Sequence, residues 1–320
     1  MPTWDRRGSR PGSSSPRGPG RPGPPPTHQG SPGSQAGPPQ LSRLPLPHKD
    51  KVAEEVLRRL QHPVHPGLWL TRFVRWGPVR QGPNQWDFKV VTTTRSGKQK
   101  EEDRKRDNLD HAARAANVEP VRKLATEWRA RREAWLKPLE QQGLACRFRA
   151  KTDWRLAIGL AGASPLETNI VFHRLYGVPM LPGSGLKGLA LAVARSNGEH
   201  ETIFGTQKAA GLVDVLDAIP ISPPGKNWIE VDIMNPHYPD WYQQKKDKQG
   251  KALAPSDDQS PNPIFFLTVS PGVEFEFALL CRTRTNEAKD ALNKAKAWLI
   301  EGLKTLGAGA KTAAGYGYFV

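Results

Sequence analysis

VEFEFALLCRTRTNEAKDALNKAKAWLIEGLKTLGAGAKTAAGYGYFV, residues 273–320, holds the pattern that decides the fold. In its first nine residues Val273, Phe275, Phe277, Leu279 and Cys281 line one face against Glu274 and Glu276 on the other, the two-residue period of a half-buried strand. The period then changes. Ala288, Ala291, Leu292, Ala295, Trp298, Leu299, Leu303 and Leu306 recur at steps of three and four, which predicts an amphipathic helix over 286–306, with Asn286 as its N-cap and Gly307 as its stop. Residues 316–320 predict a short closing strand.

Upstream, Leu144, Cys146, Phe148 and Ala150 alternate with Arg147, Arg149 and Lys151, predicting a strand with a basic open face. A helix capped by Ser184 follows through Leu186, Leu189, Ala190 and Val193. Residues 211–219 read as a second strand, and 264–269 as further strand material before the turn at Pro271 and Gly272. The order over 144–320 is thus strand, helix, strand, strand, helix, strand, an α+β arrangement on the ferredoxin-like (RRM-like) plan. Residues 221–263, rich in Pro and Asp, read as an irregular insertion outside the core.

The remainder divides in two. Residues 1–48 are dominated by Pro, Gly, Ser and Arg, bury too little apolar surface to fold, and read as a disordered tail. Residues 49–143 read as a helical extension, beginning with a short helix at 51–60. A Trp-rich stretch at 68–91, with Trp69, Phe73, Trp76, Trp86 and Phe88 around the turn signal Gly82-Pro83-Asn84, predicts a hairpin whose aromatics serve packing. After a charged run at 95–106, a helix is predicted over 117–137, with Pro120 in its first turn. Leu124, Trp128 and Trp135 form its inner face, and Arg122, Lys123, Arg129, Arg131 and Arg132 its solvated one.

The formal charge is +16 over 320 residues. The first fifty residues contribute seven Lys and Arg against Asp5 and Asp50, so most of the surplus lies on the folded part, where it attracts polyanions and makes nucleic acid the first partner to consider. Two cysteines, Cys146 and Cys281, exclude a disulfide framework and point to buried free thiols in a reducing cytoplasm. Neither an apolar span nor a secretion signal is present, so no membrane contact is expected.

Three motifs bear on chemistry. In LPGSGLKG, 181–188, a turn leads into a helix start where backbone N–H groups, the Ser184 hydroxyl and Lys187 form a place for a phosphate; an ordinary capped helix is the competing reading. In LGAGAKTAAGYGYF, 306–319, four glycines surround Lys311 and Thr312. A nucleotide-binding P-loop is excluded, since Ala310 precedes the lysine and only eight residues follow Thr312. What remains is a run of unhindered backbone donors beside a cation, suited to a phosphodiester chain, although a tight helix-to-strand connection would need only two such glycines. Base stacking on Tyr316 or Tyr318 is a minor option. The third motif, IEVDIMNPHYPDWY at 229–242, brings Asp232, His237 and Asp240 close in sequence, but Pro236 and Pro239 stiffen it and no metal-spaced partner accompanies it. With His173 equally isolated, no catalytic residue, metal or cofactor is expected.

Together, ETNIVFHRLYGVPMLPGSGLKG (167–188), DIMNPHYPDWY (232–242), SPNPIFFLTV (260–269) and GAGAKTAAGYGYF (307–319) resemble the RAMP superfamily of CRISPR-associated proteins. Within it they resemble the family of sixth subunits of the Cmr (type III-B) RNA-targeting effector complex. The resemblance implies a non-catalytic, cytoplasmic subunit that holds guide RNA, meets target RNA, and caps a helical assembly serving antiviral defence. Its implied partners are backbone RAMP subunits, a terminal RAMP partner and a small helical subunit. Carried over residue by residue, the RNA-facing positions are Gly183, Ser184, Lys187, Gly307, Gly309, Lys311, Thr312 and Gly315. The alternatives are a RAMP-type endoribonuclease trimming guide precursors, with His237 or His173 as general acid or base, and a cap that contacts proteins only.

Overall fold

The structure is a computed structural model that describes residues 65–71, 74, 76–82, 85–90, 103–195, 198–221, 227–235, 238–247, 249–256 and 263–320. The expected tail at 1–48, the helix at 51–60, Phe73 and His237 lie outside the described residues. In chain order the elements are α1 (Pro66–Thr71), β1 (Trp76–Gly82), β2 (Gln85–Val90), α2 (Asp103–Ala116), α3 (Glu119–Gln141), β3 (Ala145–Lys151), α4 (Gly183–Ala194) and α5 (His200–Phe204). They continue with β4 (Val213–Val215), β5 (Ile219–Pro220), β6 (Ile229–Met234), α6 (Pro239–Tyr242), β7 (Ile264–Val269), β8 (Glu274–Cys281) and α7 (Asn286–Thr305).

β8 is the centre of the main sheet. It pairs antiparallel with β3 along one edge, from Ala145 opposite Leu280 to Lys151 opposite Glu274, and with β4 and then β5 along the other. The second strand expected over 211–219 is therefore two short pieces. The expected closing strand shrinks to one antiparallel bridge, Thr152 to Phe319, because residues 315–317 are used up in a glycine turn. From one edge to the other the sheet thus runs Phe319, β3, β8, and β4 with β5.

On one face of β8, Phe275, Phe277 and Leu279 are fully buried beneath α7, which turns Ala288, Ala291, Leu292, Ala295, Leu299 and Leu303 inward. Each such aromatic contributes about 2–3 kcal/mol of hydrophobic burial. The N-cap of α7 is Thr285, one residue before the predicted Asn286, and its side chain accepts from the Ala288 N–H at 3.2 Å. Threonine's hydroxyl reaches the free N–H as well as an amide would.

The opposite face is not open. α3 lies across it, packing Leu136 on Ala145 and Ala278. Glu276 is buried there, as is Arg132, which approaches it at 3.8 Å and donates to the Asp217 carbonyl at 2.6 Å. Arg147 makes a two-pronged pair with Glu140, at 2.9 and 2.7 Å, and reaches Glu276 at 3.5 Å. The hydrogen bond from Arg147 pulls the Glu140 carboxyl below its ordinary range. The predicted basic face of β3 is thus partly neutralised, and Arg132 leaves the solvated face assigned to it.

The predicted inner face of α3 is also corrected: Val121, Ala125 and Leu136 are buried, whereas Leu124 and Trp135 are exposed. α2 begins within the charged run and covers the second sheet, where β6 and β7 pair antiparallel from Ile229 opposite Val269 to Met234 opposite Ile264. Trp228 and Ile229 are buried, so the expected insertion supplies core strand. Asn117 fastens the extension to it: its side-chain oxygen accepts from the Trp228 N–H at 2.7 Å and its amide donates to the Ile229 carbonyl, also at 2.7 Å. The predicted hairpin is present as β1 and β2.

Candidate nucleic-acid interface

The glycine loop leaves the C-terminus of α7 at Gly307, where the Gly307 N–H bonds the Gly302 carbonyl at 3.0 Å in the left-handed conformation that lets a helix end. All four of its glycines have φ between 74° and 88°. Two also sit where no side chain fits: a Cβ on Gly309 would lie 2.3 Å from the Ala157 carbonyl oxygen, and one on Gly317 would lie 1.9 Å from that of Ala308. The connection therefore needs more glycines than the two expected, since the chain reverses twice, around a 3-10 turn at Thr312–Ala314, while bonded to its neighbours.

Lys311 occupies the left-handed region without being glycine, at φ 61°, and its ammonium lies 3.5 Å from the Met234 sulfur. A thioether is a weak acceptor, so that contact steadies the side chain without cancelling its charge. Tyr316 donates to the Asp232 carboxylate at 2.7 Å, and Asp232 also faces Arg155 at 3.5 Å. Arg155 in turn donates to Glu230 at 2.5 Å. Burial and the bond to Asp232 push the Tyr316 hydroxyl up to about 12. Its ring, 6.0 Å from that of Phe266, is fixed by packing. The loop is thus moored to β6 by a tyrosine and braced against an arginine that motif reading missed, although Glu230 and Asp232 alternating with apolar residues in IEVDIM signal a strand with an acidic face.

The corner at 182–187 is built differently. Pro182 is the N-cap of α4, and Ser184 makes no capping bond. The Gly183 N–H donates to the Asp217 carboxylate at 2.7 Å, while those of Gly185 and Leu186 reach the Pro182 carbonyl. The phosphate-ready helix start expected there already holds a carboxylate, which satisfies the helix dipole as a phosphate would. Gly183 is required by close approach, since its Cβ would meet the Val215 carbonyl oxygen at 2.2 Å. Among the eight predicted contact residues, Gly183 and Gly307 are buried, and Ser184, Lys187, Gly309, Lys311, Thr312 and Gly315 reach the surface.

The described residues considered for acid-base work, Asp232, Asp240 and His173, are otherwise engaged. Asp240 pairs with Lys245 at 2.6 Å and Asp232 with Tyr316. His173 lies against Trp128 and Tyr176, with ring centroids 4.3 and 4.7 Å away, and its Nδ1 accepts from the Leu175 and Tyr176 N–H groups. Burial holds its pKa below the ordinary histidine range. Among the described residues there is no group of three or more His, Cys, Asp or Glu able to hold a metal. Both cysteines are free and half-buried, and burial pushes Cys146 up to about 11. No described helix is long and apolar enough to cross a membrane.

Residues 147–320, from β3 to the end of the glycine loop, match the RAMP superfamily. The chain belongs to that superfamily. It is 33% identical to the CRISPR system Cmr subunit Cmr6 of Pyrococcus furiosus, over 53% of this chain and 66% of that protein, just under two thirds of the relative's length. A chain in the cryo-EM structure of the type III-B Cmr-beta bound to cognate target RNA superposes with a TM-score of 0.52 at 21% identity, covering 67% of this RAMP protein and 70% of that chain. The crystal structure of Cmr6 from P. furiosus is 32% identical over 55% of this chain and 96% of its own, with a TM-score of 0.35. The superfamily expected from the four motifs is therefore the one found, and Cmr6 is a relative within it.

Proposed function

We propose that this RAMP protein is the Cmr6-type subunit of a type III-B Cmr ribonucleoprotein, holding guide RNA by its sugar-phosphate backbone and capping the helical assembly without cleaving RNA. The observation that carries the reading is the loop at 307–317. It is a rigid reversal that exposes Gly309 and Gly315 beside Lys311, so that a polyanion can come close to the backbone and meet a cation, on a chain of formal charge +16 that is similar to Cmr6. The sheet order supports the finer fold assignment: with Phe319 beside β3, β3 beside β8, and β8 beside β4, the strands follow the ferredoxin-like plan. The non-catalytic part rests on the engagement of His173, Asp232 and Asp240 in packing and pairing. Target RNA, backbone RAMP subunits, a terminal RAMP partner, a small helical subunit and a cytoplasmic setting belong to the same proposal.

Binding of single-stranded RNA by the purified chain, titrated at several salt concentrations, tests it. The double substitution Lys187→Ala and Lys311→Ala weakens binding similarly across sequences. It also makes the salt dependence shallower, by about 0.7 log units per log of salt for each lost phosphate contact. Unchanged affinity and slope would refute the assigned surface. Incubation with guide precursor, with and without chelator, is expected to leave the RNA intact; cleavage would return the endoribonuclease reading.

A further inference from the structure

A second basic depression lies away from the glycine loop. It is a cavity of about 220 Å³ walled by Lys187 on α4, the loop that carries Thr206, Gln207 and Lys208, Asp214 in the middle of β4, and Arg282 just after β8. Three cations face one carboxylate, so the depression keeps a net positive charge. The carboxylate also orients one of the cations, because Asp214 holds Arg282 at 3.1 Å and leaves other guanidinium N–H groups for a further acceptor. Neither Lys187 nor Lys208 has an ion-pair partner among the described residues.

The wall is built, not incidental. Gly205 and Ala210 bridge at the neck of the loop, and a Cβ on Gly211 would come within 2.4 Å of the Gly205 nitrogen, so the two strands of the neck touch. The Thr206 hydroxyl accepts from the Lys208 and Ala209 N–H groups, both at 3.2 Å, and the Thr206 N–H returns to the Ala209 carbonyl at 2.8 Å. Arg282 is held from behind by its own N–H, which donates to Leu212 at 2.8 Å. A polar hollow lined by two lysines and a braced arginine matches a tetrahedral anion with several oxygens. The hollow is large enough for a phosphate with part of its sugar but too small for a protein helix, about 10 Å across.

From this geometry we infer that Lys187, Lys208 and Arg282 form a phosphodiester subsite that takes one backbone phosphate of the bound RNA strand. The inference rests on the RNA-holding reading above and extends it to a second place on the surface, with Lys187 common to both. Lys208 and Arg282 then grip RNA although neither lies in a glycine-lysine motif.

The full-length chain and a fluorescein-labelled single-stranded RNA of mixed sequence provide the test, with Lys304→Ala, a surface change on α7, as control. Lys208→Ala is expected to make the salt slope shallower by about 0.7. Lys208→Glu should weaken binding about tenfold, the loss of one charge-assisted contact, while Lys208→Arg and the control stay near wild type. Arg282→Gln is expected to weaken binding as well. If Lys311→Ala lowers affinity while every Lys208 and Arg282 variant binds as wild type, the subsite is refuted and the RNA-holding reading survives. If the wild-type chain fails to bind RNA at all, both are refuted. If Lys208→Glu leaves RNA binding intact but abolishes binding of a polyglutamate peptide, the hollow is a protein contact and the inference is overturned.

Discussion

The corners at 182–187 and 307–317 look alike in sequence, each a cluster of glycines around a lysine, yet the structure builds them differently. At 182–187 the helix start is closed: Asp217 takes the Gly183 N–H, and Gly183 is buried against the Val215 carbonyl. At 307–317 the glycines all have positive φ and Gly309 and Gly315 reach the surface, but only Gly315 has open space around its Cβ position. A glycine count therefore does not separate a glycine that admits the protein's own backbone from one that leaves room for a ligand. What separates them is the space around each Cβ position: a backbone carbonyl stands there at Gly183, Gly309 and Gly317, whereas Gly185 and Gly315 have nothing within 4 Å.

The sharpest way to break this comparison is Gly317→Ala. The added methyl would stand 1.9 Å from the Ala308 oxygen at φ 81°, so the loop must open, and a stability loss of about 3 kcal/mol is expected in denaturant unfolding. A loss below about 1 kcal/mol would show a loop soft enough to yield, and the rigid-reversal argument would fail with it.

Next comes the mooring. Tyr316→Phe removes the donor to Asp232 and should cost about 1.5 kcal/mol. It also carries a pH signature. The folded-state pKa of Tyr316 is raised, so its contribution is fully present below the ordinary tyrosine value near 10 and is lost as pH rises toward about 12. Wild type should lose stability across that alkaline window and Tyr316→Phe should lose less; parallel curves would mean that the hydroxyl is not held by Asp232.

How much of this was legible in the residues depends on how local the cause is. α7, β8 and β3 could be read within a residue or two, because their periods and caps are written in the segments themselves. The burial of Glu276 could not. Alternation tells which positions differ, not whether a distant segment covers the second face, and Arg132, which meets Glu276 there, comes from α3 more than a hundred residues earlier. β6 was hidden by the prolines that follow it, and α2 by a charged run that resembles solvated coil. In the candidate interface the accessible lysines were legible from motif spacing, whereas Asp217 was not. A lone aspartate between two short strands carries no local mark of capping a helix that begins 34 residues earlier.

Asp217→Ala tests that closing contact directly. Removing the carboxylate leaves the Gly183 N–H without its acceptor and the start of α4 without its counter-charge, an expected loss of about 1 kcal/mol. It also turns the corner into the open helix start that its sequence suggests. If the carboxylate is all that keeps an anion out, RNA affinity should rise at low salt even as the melting temperature falls. Affinity that falls in step with stability would mean that Asp217 shapes the corner instead of screening it.

The smallest effect is the most discriminating. A Cβ on Gly185 would meet nothing within 4 Å, and the residue is exposed in the first turn of α4, where no positive φ requires glycine. In an isolated chain Gly185→Ala should therefore stabilise the helix by roughly 0.5 kcal/mol, through the lower conformational freedom of alanine in the unfolded state. A residue that costs stability without serving any contact of its own chain is explained if something else needs the space. The RNA-holding reading supplies that something, a strand lying close over α4 between Ser184 and Lys187. Gly185→Ala should then raise the unfolding midpoint slightly and weaken RNA binding, two changes of opposite sign from one methyl group. Should both rise together, the surface of α4 is not approached closely by RNA, and Lys311 and its loop would be left to hold the strand without this helix.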